Sequence, residues 1–434
     1  MSLGWRAAAG TPLRGEISVP GDKSISHRAI MLAAIAEGRS RISGFLEGED
    51  TRATARIFAQ LGVRIEAPEA SERIVHGVGL HGLRGCSESL DCGNAGTGMR
   101  LLTGLLAGQG FASVLVGDAS LSKRPMSRVI EPLRQMGAQL TSTDGGLPPI
   151  RIDINKDLQG IDCKTKVASA QVKSAILLAG LYAHGETRVI EPHPTRDYTE
   201  RMLRAFGWPI EFAPGQVRLS GGHRLRATDV SVPADFSSAA FFLVAASVIP
   251  GSDLLLRRVG MNPRRTGLLA ALRLMGADIT EENPDEQGGE AVANLRVRHA
   301  QLRGIAVPEA LVPDMIDEFP ALFVAAAVAE GRTTISGAAE LRVKESDRIA
   351  VMAIALRAMG AAITETPDGA VIDGGSLCGA DTDSHGDHRI AMSLAVAAQC
   401  ASGETCIGDC ENVATSFPGF VELARSIGFE LLAG

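Results

Sequence analysis

The hydrophobic and polar positions of this chain repeat in blocks that end at glycine. The phrases AQLGVRI, RQMGAQL, RAFGWPI, RLMGADI, RAMGAAI and RSIGFEL each join an amphipathic stretch, a glycine and an apolar-rich segment. The apolar positions before the fifth of these glycines recur at helical spacing, at Ile349, Met352, Leu356 and Met359. The pattern predicts an amphipathic helix, a left-handed glycine cap and a following strand. The six glycines are Gly62, Gly137, Gly207, Gly276, Gly360 and Gly428.

A second series of helices precedes the first. Six apolar, alanine-rich stretches, such as AILLAGLYA, also end at glycine. They are hydrophobic on every side, which is typical of helices enclosed by other elements. Together the two series predict six units of about 70 residues, each with the order strand, buried helix, strand, amphipathic helix, strands. The glycines of this series are Gly38, Gly110, Gly185, Gly251, Gly331 and Gly403.

The six units divide into two halves. The segment ISVPGDKSIS at 17–26 is echoed 213 residues later by VSVPADFSSA at 230–239. This echo predicts one lobe over 21–229 with units one to three, and a second lobe over 1–20 and 230–434 with units four to six. The alternative is that the chain consists of unrelated α/β layers whose sequences are similar by chance. For the first eleven residues, the sequence does not distinguish between disorder and an extended edge strand.

Composition narrows the class of protein. A chain of 434 residues is too long for one core, and 45 % hydrophobic with 21 % charged residues describes a soluble globular protein. A net charge of −7 and 4 % aromatic residues disfavour a nucleic-acid partner. The apolar runs last at most about eleven residues, too short to span a membrane, and no secretory signal is evident. Seven cysteines without paired spacing favour the cytoplasm and predict no metal site.

Cations stand where predicted helices begin, although the positive end of the helix dipole disfavours them. One such placement is unremarkable, but a local rule that is broken repeatedly usually marks function. Helix N-termini offer free N–H groups to anions, and arginine adds bidentate recognition of carboxylate or phosphate. The pattern therefore predicts several anion-binding positions. The cations are Lys23, Arg28, Lys123, Arg124, Arg196, Arg264, Lys344, Arg348 and Arg389.

A glycine-rich loop and two acidic segments accompany these cations. The loop GNAGTG at 93–98 is equally compatible with close backbone approach to a ligand and with a plain tight turn. The segment DMIDEFP contains Asp314, Asp317 and Glu318, and LRVKESDR contains Glu345. A carboxylate beside an anion site is costly unless it moves protons or pairs with a cation. An N-cap role for Asp317 and a simple ion pair for Glu345 therefore stay open.

The motifs PGDKSISHR, GNAGTGMRL, GDASLSKRPM, SAQVKSA, LRVKESDR and GDHRIAM together resemble the EPSP synthase (3-phosphoshikimate 1-carboxyvinyltransferase) family, over residues 12 to 430. The resemblance implies an α/β fold of six βαβαββ repeats, a two-lobed inverse α/β barrel of the enolpyruvyl transferase type. It places the active site in the cleft between the lobes. Departures at Thr195, Glu340 and Thr415 resemble the more divergent bacterial branch, and no ligand contact is assigned to them.

The resemblance also implies the reaction. The enolpyruvyl group of phosphoenolpyruvate moves to the 5-hydroxyl of shikimate 3-phosphate and inorganic phosphate is released, a step of aromatic amino acid biosynthesis. No cofactor or metal is expected. The family further implies a cytoplasmic monomer, without nucleic-acid or membrane partners, and inhibition by glyphosate. Because both substrates carry a phosphate and a carboxylate, four anionic groups account for the many cations.

The resemblance assigns roles residue by residue. Asp317 matches the group that takes the hydroxyl proton, Glu345 matches the acid or base at the methylene carbon, and Lys23 is also expected to act in catalysis. The residues matching contacts to shikimate 3-phosphate are Lys23, Ser24, Arg28, Ser169, Ala170, Gln171, Arg196, Asp317 and Lys344. Those matching contacts to phosphoenolpyruvate are Lys23, Gly96, Arg124, Gln171, Arg348 and Arg389.

Three rival functions remain. The UDP-N-acetylglucosamine enolpyruvyl transferases share the fold and the donor but carry a cysteine in the loop that reads SLSKRPMSR here. An RNA-end-modifying enzyme on similar units would need a catalytic histidine, for which His27, His385 and His388 are candidates. A non-catalytic anion-binding protein would leave Asp317 and Glu345 without a role.

Overall fold

A computed structural model describes residues 4–155 and 157–434, which form two compact units. The first unit comprises residues 21–232 with 287–290, and the second comprises 4–20, 233–286 and 291–434. The boundary predicted at 229/230 lies three residues earlier than the one observed, because residues 230–231 pair with a strand of the first unit.

Each unit has helices of two kinds in alternation. The inner helices are α1, α3 and α5 in the first unit and α7, α9 and α11 in the second; the others are outer helices. Inner helices of one unit contact one another, and α7 and α9 are buried along nearly their whole length. The bounds are α1 (Lys23–Ala34), α2 (Glu49–Gln60), α3 (Gly96–Ala107), α4 (Ser127–Gln135), α5 (Ala170–Gly180), α6 (Tyr198–Ala205), α7 (Phe236–Val248), α8 (Gly267–Leu274), α9 (Phe319–Val328), α10 (Arg348–Ala358), α11 (His388–Ala398) and α12 (Phe420–Ser426).

The three sheets of the first unit share one order, a parallel pair followed by two antiparallel neighbours. Their strands, in spatial order, are β14 (Val230–Ser231), β3 (Glu37–Ser43), β5 (Glu72–Val78) and β4 (Arg64–Glu66); β6 (Leu90–Asp91), β7 (Ser113–Val116), β9 (Leu147–Ile152) and β8 (Leu140–Thr143); and β10 (Asp162–Lys164), β11 (Glu186–Ile190), β13 (Gln216–Ser220) and β12 (Ile210–Ala213).

The sheets of the second unit repeat this order. In the middle one, two isolated parallel bridges, Arg303 to Glu330 and Ala306 to Thr334, stand in place of the first strand. The strands, in spatial order, are β2 (Arg14–Ile17), β15 (Asp253–Gly260), β17 (Glu290–Arg298) and β16 (Asp278–Gln287); β18 (Arg332–Ile335), β20 (Gly369–Asp373) and β19 (Ala362–Thr366); β22 (Asp381–Asp383), β24 (Thr405–Gly408), β1 (Trp5–Ala8) and β25 (Glu430–Ala433); and the pair β21 (Leu377–Cys378) and β23 (Ala401–Ser402).

The glycines that mark the predicted units have the expected backbone conformation, with one exception. All six glycines after the outer helices have φ between +82° and +118°, as a left-handed cap requires. In the second series, Gly110 is the exception, because α3 ends at Ala107 and Gly108 follows it with φ −92°. Gly38 has φ +114° but lies within β3, since α1 ends at Ala34.

The similar segments 17–26 and 230–239 form the same kind of helix start in the two units. Helices α1 and α7 begin 213 residues apart, and an aspartate caps each of them. The Oδ1 atom of Asp22 accepts from the Ile25 amide at 2.8 Å, and that of Asp235 accepts from the Ser237 amide at 2.9 Å. The likeness in sequence thus reflects a repeated N-cap, which stabilises a helix start by about 1 kcal/mol.

The first described residues form an internal strand. Strand β1 lies between β24 and β25 and pairs antiparallel with both, so neither disorder nor an edge strand describes residues 5–8. Trp5 is 3 % exposed, and its ring stacks on Phe420 at 5.6 Å between centroids. Among the described residues, no helix is long and apolar enough to cross a membrane, and no group of side chains has a metal-binding arrangement.

The burial of Trp5 generates a stability prediction. Trp5→Ala removes a buried indole and its stacking partner, so the free energy of unfolding should fall by about 3–5 kcal/mol. Urea denaturation followed by circular dichroism measures the change. Leu432→Ala is the matched control, because Leu432 is 56 % exposed on the neighbouring strand β25 and should change stability by about 0.5 kcal/mol at most. Equal losses in the two variants would contradict the role of β1.

Candidate active site

Helix α1 presents two predicted anion-binding cations. With Asp22 as its cap, Lys23 and Ser24 lie in the first turn and Arg28 in the second. The Lys23 ammonium donates to Oδ2 of Asp50 at 2.9 Å, and its side chain remains 18 % exposed. Lys23 is therefore oriented by a buried carboxylate while it keeps contact with solvent.

Arg28 is buried among neutral oxygens. Its Nε donates to the Thr199 hydroxyl at 2.8 Å, Nη1 to the Ser24 carbonyl at 3.0 Å and Nη2 to the Ser174 hydroxyl at 2.8 Å. Burial and the charge of Arg196 lower the pKa of Arg28 to about 10. A cation in this environment favours an anion as its partner, because none of these three oxygens carries a charge.

The glycine-rich loop leads into the first turn of α3, where two guanidinium groups meet it. Arg124 donates to Oδ1 of Asn94 at 2.7 Å, and the Asn94 amide donates to Asp118 at 2.7 Å. A β-carbon added to Gly96 would lie 3.1 Å from Nη1 of both Arg124 and Arg100. Gly96 therefore allows these two cations to approach the helix start closely.

Helix α5 begins beside α3. The Ser169 hydroxyl caps α5 by accepting from the Val172 amide at 3.4 Å, and Ala170 is the first helical residue. Gln171 accepts from Nη1 of Arg100 at 2.9 Å and donates to the Thr97 hydroxyl at 2.8 Å. Sequence reasoning missed Arg100, although it lies two residues after the glycine-rich loop in GNAGTGMR and so continues the pattern of cations near helix starts.

The loop that carries Arg196 is fixed by a buried ion cluster. The Lys173 ammonium lies 2.9 Å from Glu191 and 2.8 Å from Glu200, and it donates to the Thr195 carbonyl at 3.4 Å. The Thr195 hydroxyl donates to Glu191 in turn. Burial opposes the charge on Lys173, yet Glu200 and Glu191 raise its pKa above the ordinary value. The cluster thereby places Arg196 near Arg28.

In the first unit, therefore, the structure brings together the starts of α1, α3 and α5. Arg28 joins α1 to α5 through Ser174, and Arg100 joins α3 to α5 through Gln171. The predicted site residues of this unit that lie at these starts or in the loops beside them are Lys23, Ser24, Arg28, Gly96, Arg124, Ser169, Ala170, Gln171 and Arg196.

In the second unit, Asp317 lies between two arginines. Its Oδ2 accepts from Nη1 of Arg265 at 2.9 Å, and its Oδ1 lies 3.7 Å from Nη1 of Arg348. The N-cap position of α9 belongs to Glu318, so the N-cap interpretation of Asp317 does not hold. The Asp317 side chain is 17 % exposed, which leaves it accessible to a small molecule.

Arg348, the first residue of α10, contacts two carboxylates, and one of them belongs to the predicted catalytic residue Glu345. Its Nε donates to Oδ2 of Asp387 at 2.8 Å and its Nη2 to Glu345 at 2.6 Å. Glu345 is thus engaged in the ion pair considered above, while 23 % of its side chain stays exposed. Arg389 lies at the start of α11, with Nη1 3.8 Å from Glu318.

Two further cations have local acidic partners. The Lys344 ammonium lies 3.5 Å from Glu340, one of the positions where the sequence departs from part of the family. Arg264, a predicted helix-start cation, donates to Asp314 at 3.1 Å. In the second unit the cations are thus matched by carboxylates, an arrangement suited to moving protons.

Of the three candidate catalytic histidines named for the RNA-enzyme alternative, His27 is unsuited to that role. His27 is fully buried in α1, and its Nδ1 is 2.8 Å from the Thr54 hydroxyl. Burial, with the charges of Lys23 and Arg28, lowers its pKa to about 3. His27 is therefore neutral near pH 7 and far from the pKa that efficient acid–base catalysis requires.

Comparison with known proteins identifies the same family as the sequence motifs do. The model of the EPSP synthase (3-phosphoshikimate 1-carboxyvinyltransferase) family matches residues 7–423. The chain belongs to the EPSP synthase family. It is 67 % identical to a 3-phosphoshikimate 1-carboxyvinyltransferase of Xanthomonas euvesicatoria, over 98 % of this chain and 97 % of that one. A protein of the same name from Xanthomonas campestris is 68 % identical, over 99 % and 98 %.

Solved structures show the EPSP synthase fold directly. One structure of EPSP synthase from Acinetobacter baumannii superposes with a TM-score of 0.90 at 51 % identity and covers both chains completely. Another from the same organism gives 0.89 at 50 % identity. The fold class that the family resemblance implies, with its six repeats, is thereby confirmed.

The pKa of His27 generates a prediction about acid stability. An unfolded histidine titrates near 6.5, so between pH 6.5 and 3 the unfolded chain binds a proton that the folded chain does not. Stability is therefore lost as the pH falls through this range, by about 2 kcal/mol at pH 5. In His27→Asn, the decrease in the free energy of unfolding from pH 7 to pH 5 should be smaller by this amount, measured by urea denaturation at both values.

His184→Gln is the matched control for this measurement, because the side chain of His184 is 68 % exposed. It should keep the decrease seen in the unmodified chain. If His27→Asn also keeps that decrease, His27 does not titrate as described.

Proposed function

We propose that this chain transfers the enolpyruvyl group of phosphoenolpyruvate to the 5-hydroxyl of shikimate 3-phosphate, with release of phosphate. The observation that supports this most strongly is the environment of Arg28, a buried cation whose hydrogen bonds all go to neutral oxygens at the starts of α1, α5 and α6. Such a site favours a phosphate dianion. The named relatives and the family membership supply the reaction.

The first unit would bind both substrates through its helix starts. For shikimate 3-phosphate we assign Lys23, Ser24, Arg28, Ser169, Ala170, Gln171 and Arg196. For phosphoenolpyruvate we assign Lys23, Gly96, Arg124 and Gln171. The family resemblance implies this division. It is supported by the proximity of Arg28 to Ser24 and Arg196 and of Arg124 to Gly96.

The second unit would supply the proton transfers. Glu345 protonates C3 of the enol, which develops cationic character at C2; the 5-hydroxyl oxygen attacks C2 while Asp317 takes its proton. A C3 proton then returns to Glu345 as the C2–O bond to phosphate breaks, which restores the double bond. The proton that Asp317 received from the hydroxyl leaves with the phosphate, so both carboxyl groups return to their starting states. Lys344, Arg348 and Arg389 would stabilise the anionic groups of the substrates, and a water-poor site would favour each of these steps.

The family resemblance supports the remaining parts of the proposal. It implies that residues of both units act on the same pair of substrates. It also favours a cytoplasmic monomer that is inhibited by glyphosate. The UDP-N-acetylglucosamine enolpyruvyl transferases, the rival with the same donor, carry a cysteine in the loop that contains Leu121–Lys123 here, and SLSKRPMSR has none.

A phosphate-release assay tests the proposal. The purified chain should release inorganic phosphate only when phosphoenolpyruvate and shikimate 3-phosphate are both present. Calorimetric titration should show that shikimate 3-phosphate binds alone. Binding without phosphate release would favour the non-catalytic alternative, and release with UDP-N-acetylglucosamine in place of shikimate 3-phosphate would favour the rival transferase.

The acid–base assignment predicts a separation of turnover from binding. Asp317→Asn and Glu345→Gln remove proton-transfer groups without removing a helix-start cation, so turnover should fall by ~10²-fold or more. The affinity for shikimate 3-phosphate should stay nearly unchanged in calorimetric titration. Asp373→Asn is the control, because Asp373 lies on β20, pairs with Arg332 of β18 and has a side chain that is 46 % exposed. Turnover near the unmodified value in both test variants would refute the assignment.

The family resemblance implies that this chain, with glycine at position 96, is sensitive to glyphosate, and the environment of Gly96 predicts how alanine would change that sensitivity. In Gly96→Ala the added methyl would press on the Arg124 and Arg100 guanidinium groups at 3.1 Å. Glyphosate is longer than phosphoenolpyruvate and should lose more from this crowding. Overpacking typically costs ~1–3 kcal/mol, so the glyphosate inhibition constant should rise by about 5- to 150-fold while the KM for phosphoenolpyruvate changes much less.

Steady-state inhibition kinetics measure both constants for this comparison. Gly375→Ala is the matched control, since a β-carbon there meets no atom within 4 Å. An equal rise of both constants in Gly96→Ala would show that the discrimination is not steric at this position.

A further inference from the structure

Arg265 is a buried cation that neither the sequence pattern nor the family resemblance assigned to the site. It precedes α8 and is 5 % exposed. Its Nη1 donates to Oδ2 of Asp317 at 2.9 Å and lies 3.4 Å from Glu318. Its Nη2 donates to the Ser237 hydroxyl and lies 3.6 Å from Asp235. One guanidinium thus connects the caps of α7 and α9 with the predicted proton acceptor.

The charged groups of the cluster around Asp317 lie at or just before the starts of five helices, α7 to α11. Arg265 contacts it from the loop before α8, and Arg348 faces it from α10. The carboxylates in this cluster partner the same arginines rather than Asp317 itself. The charged groups of the cluster are Asp235, Arg265, Asp317, Glu318, Glu345, Arg348, Asp387 and Arg389.

The two oxygens of Asp317 have different environments. Oδ2 is within hydrogen-bond distance of Arg265, whereas Oδ1 is 3.7 Å from the nearest Arg348 nitrogen. A charge-assisted hydrogen bond to one oxygen fixes the plane of a carboxylate and favours its ionised form. A proton acceptor must be both ionised and oriented before the substrate hydroxyl arrives.

We propose that Arg265 is a positioning residue that orients Asp317 and keeps it unprotonated, so that Asp317 can accept the substrate hydroxyl proton. This inference deepens the proposed function and rests on it. Arg265 itself does not contact the reacting atoms. In the reaction, Asp317 gains one proton from the attacking hydroxyl, and the nearby guanidinium favours its release again after the product has formed.

The adjacent arginine provides a matched control. Arg264 lies in the same loop and donates to Asp314 rather than to Asp317. Arg264→Gln and Arg265→Gln each remove one cation from neighbouring backbone positions, yet only the second removes the hydrogen bond to Asp317. A general effect of lost positive charge in this loop would therefore appear in both variants.

The decisive measurement is the pH profile of kcat/KM, obtained from phosphate release. In Arg265→Gln the acidic limb should move to higher pH by about one unit, because an ion-pair partner of a carboxylate has been removed. The value of kcat near pH 7 should fall by about tenfold or more, with the KM for shikimate 3-phosphate nearly unchanged. Arg264→Gln should leave the acidic limb in place. An acidic limb that stays in place in Arg265→Gln would overturn the proposal.

A second variant covers the case in which Arg265→Gln does not fold. Arg265→Lys keeps the charge but loses the planar guanidinium, so the acidic limb should stay in place while kcat falls. In a double-mutant cycle with Asp317→Asn, Arg265→Lys should cause no further loss of kcat, because its effect acts through Asp317. A full additional loss in the Asp317→Asn background would show that Arg265 acts elsewhere and would overturn the inference.

Failure of this inference can be distinguished from failure of the proposed function. If the unmodified chain releases no phosphate from the two substrates, the proposed function itself is refuted. If the unmodified chain is active and the Arg265 variants do not show the expected pH and coupling behaviour, only the role of Arg265 is refuted.

Discussion

The positive charge at the starts of the inner helices determines how each unit arranges its charged side chains. In each unit several buried helices bring their N-termini together, and each N-terminus carries unsatisfied N–H groups and a partial positive charge. In the first unit Arg28 and Arg100 link the starts of α1, α3 and α5, and in the second Glu318 links those of α7, α9 and α11. Converging positive ends repel one another, so each unit must bring negative charge to the same place.

The two units meet this requirement differently. In the first, Arg28 donates only to neutral oxygens, Arg196 lies nearby as a second cation, and Arg124 approaches a glycine. These cations favour an anionic ligand, although the carboxylates of Glu200 and Asp22 also act on Arg28. In the second, Asp317, Glu345 and Asp387 neutralise Arg265 and Arg348 within the protein. The same helix architecture therefore provides an anion-binding surface in one unit and a set of oriented carboxylates in the other, the two components that enolpyruvyl transfer requires.

Much of this was predictable because it depends on local periodicity. The helical spacing before Gly360 and the glycine caps after each outer helix are short-range features, and they identified the six units correctly. The cations at helix starts were recognised for the same reason. The N-cap role left open for Asp317 does not hold, because Glu318 takes that position. The sequence alone does not show which of these two adjacent residues takes the cap when a 3-10 turn at Glu309–Asp314 precedes the helix.

By itself the sequence determined the repeat, the glycine caps, the twofold echo and the clustering of cations, because each is recognised from short local motifs, some of which recur along the chain. Tertiary structure alone decided three further features. Strand β1 lies between strands some 400 residues away in the chain, which no local pattern encodes. Arg100 acts through Gln171 and Arg265 through Asp317, and these partners meet only when helices pack. The pKa of His27 depends on complete burial, which also arises only from that packing.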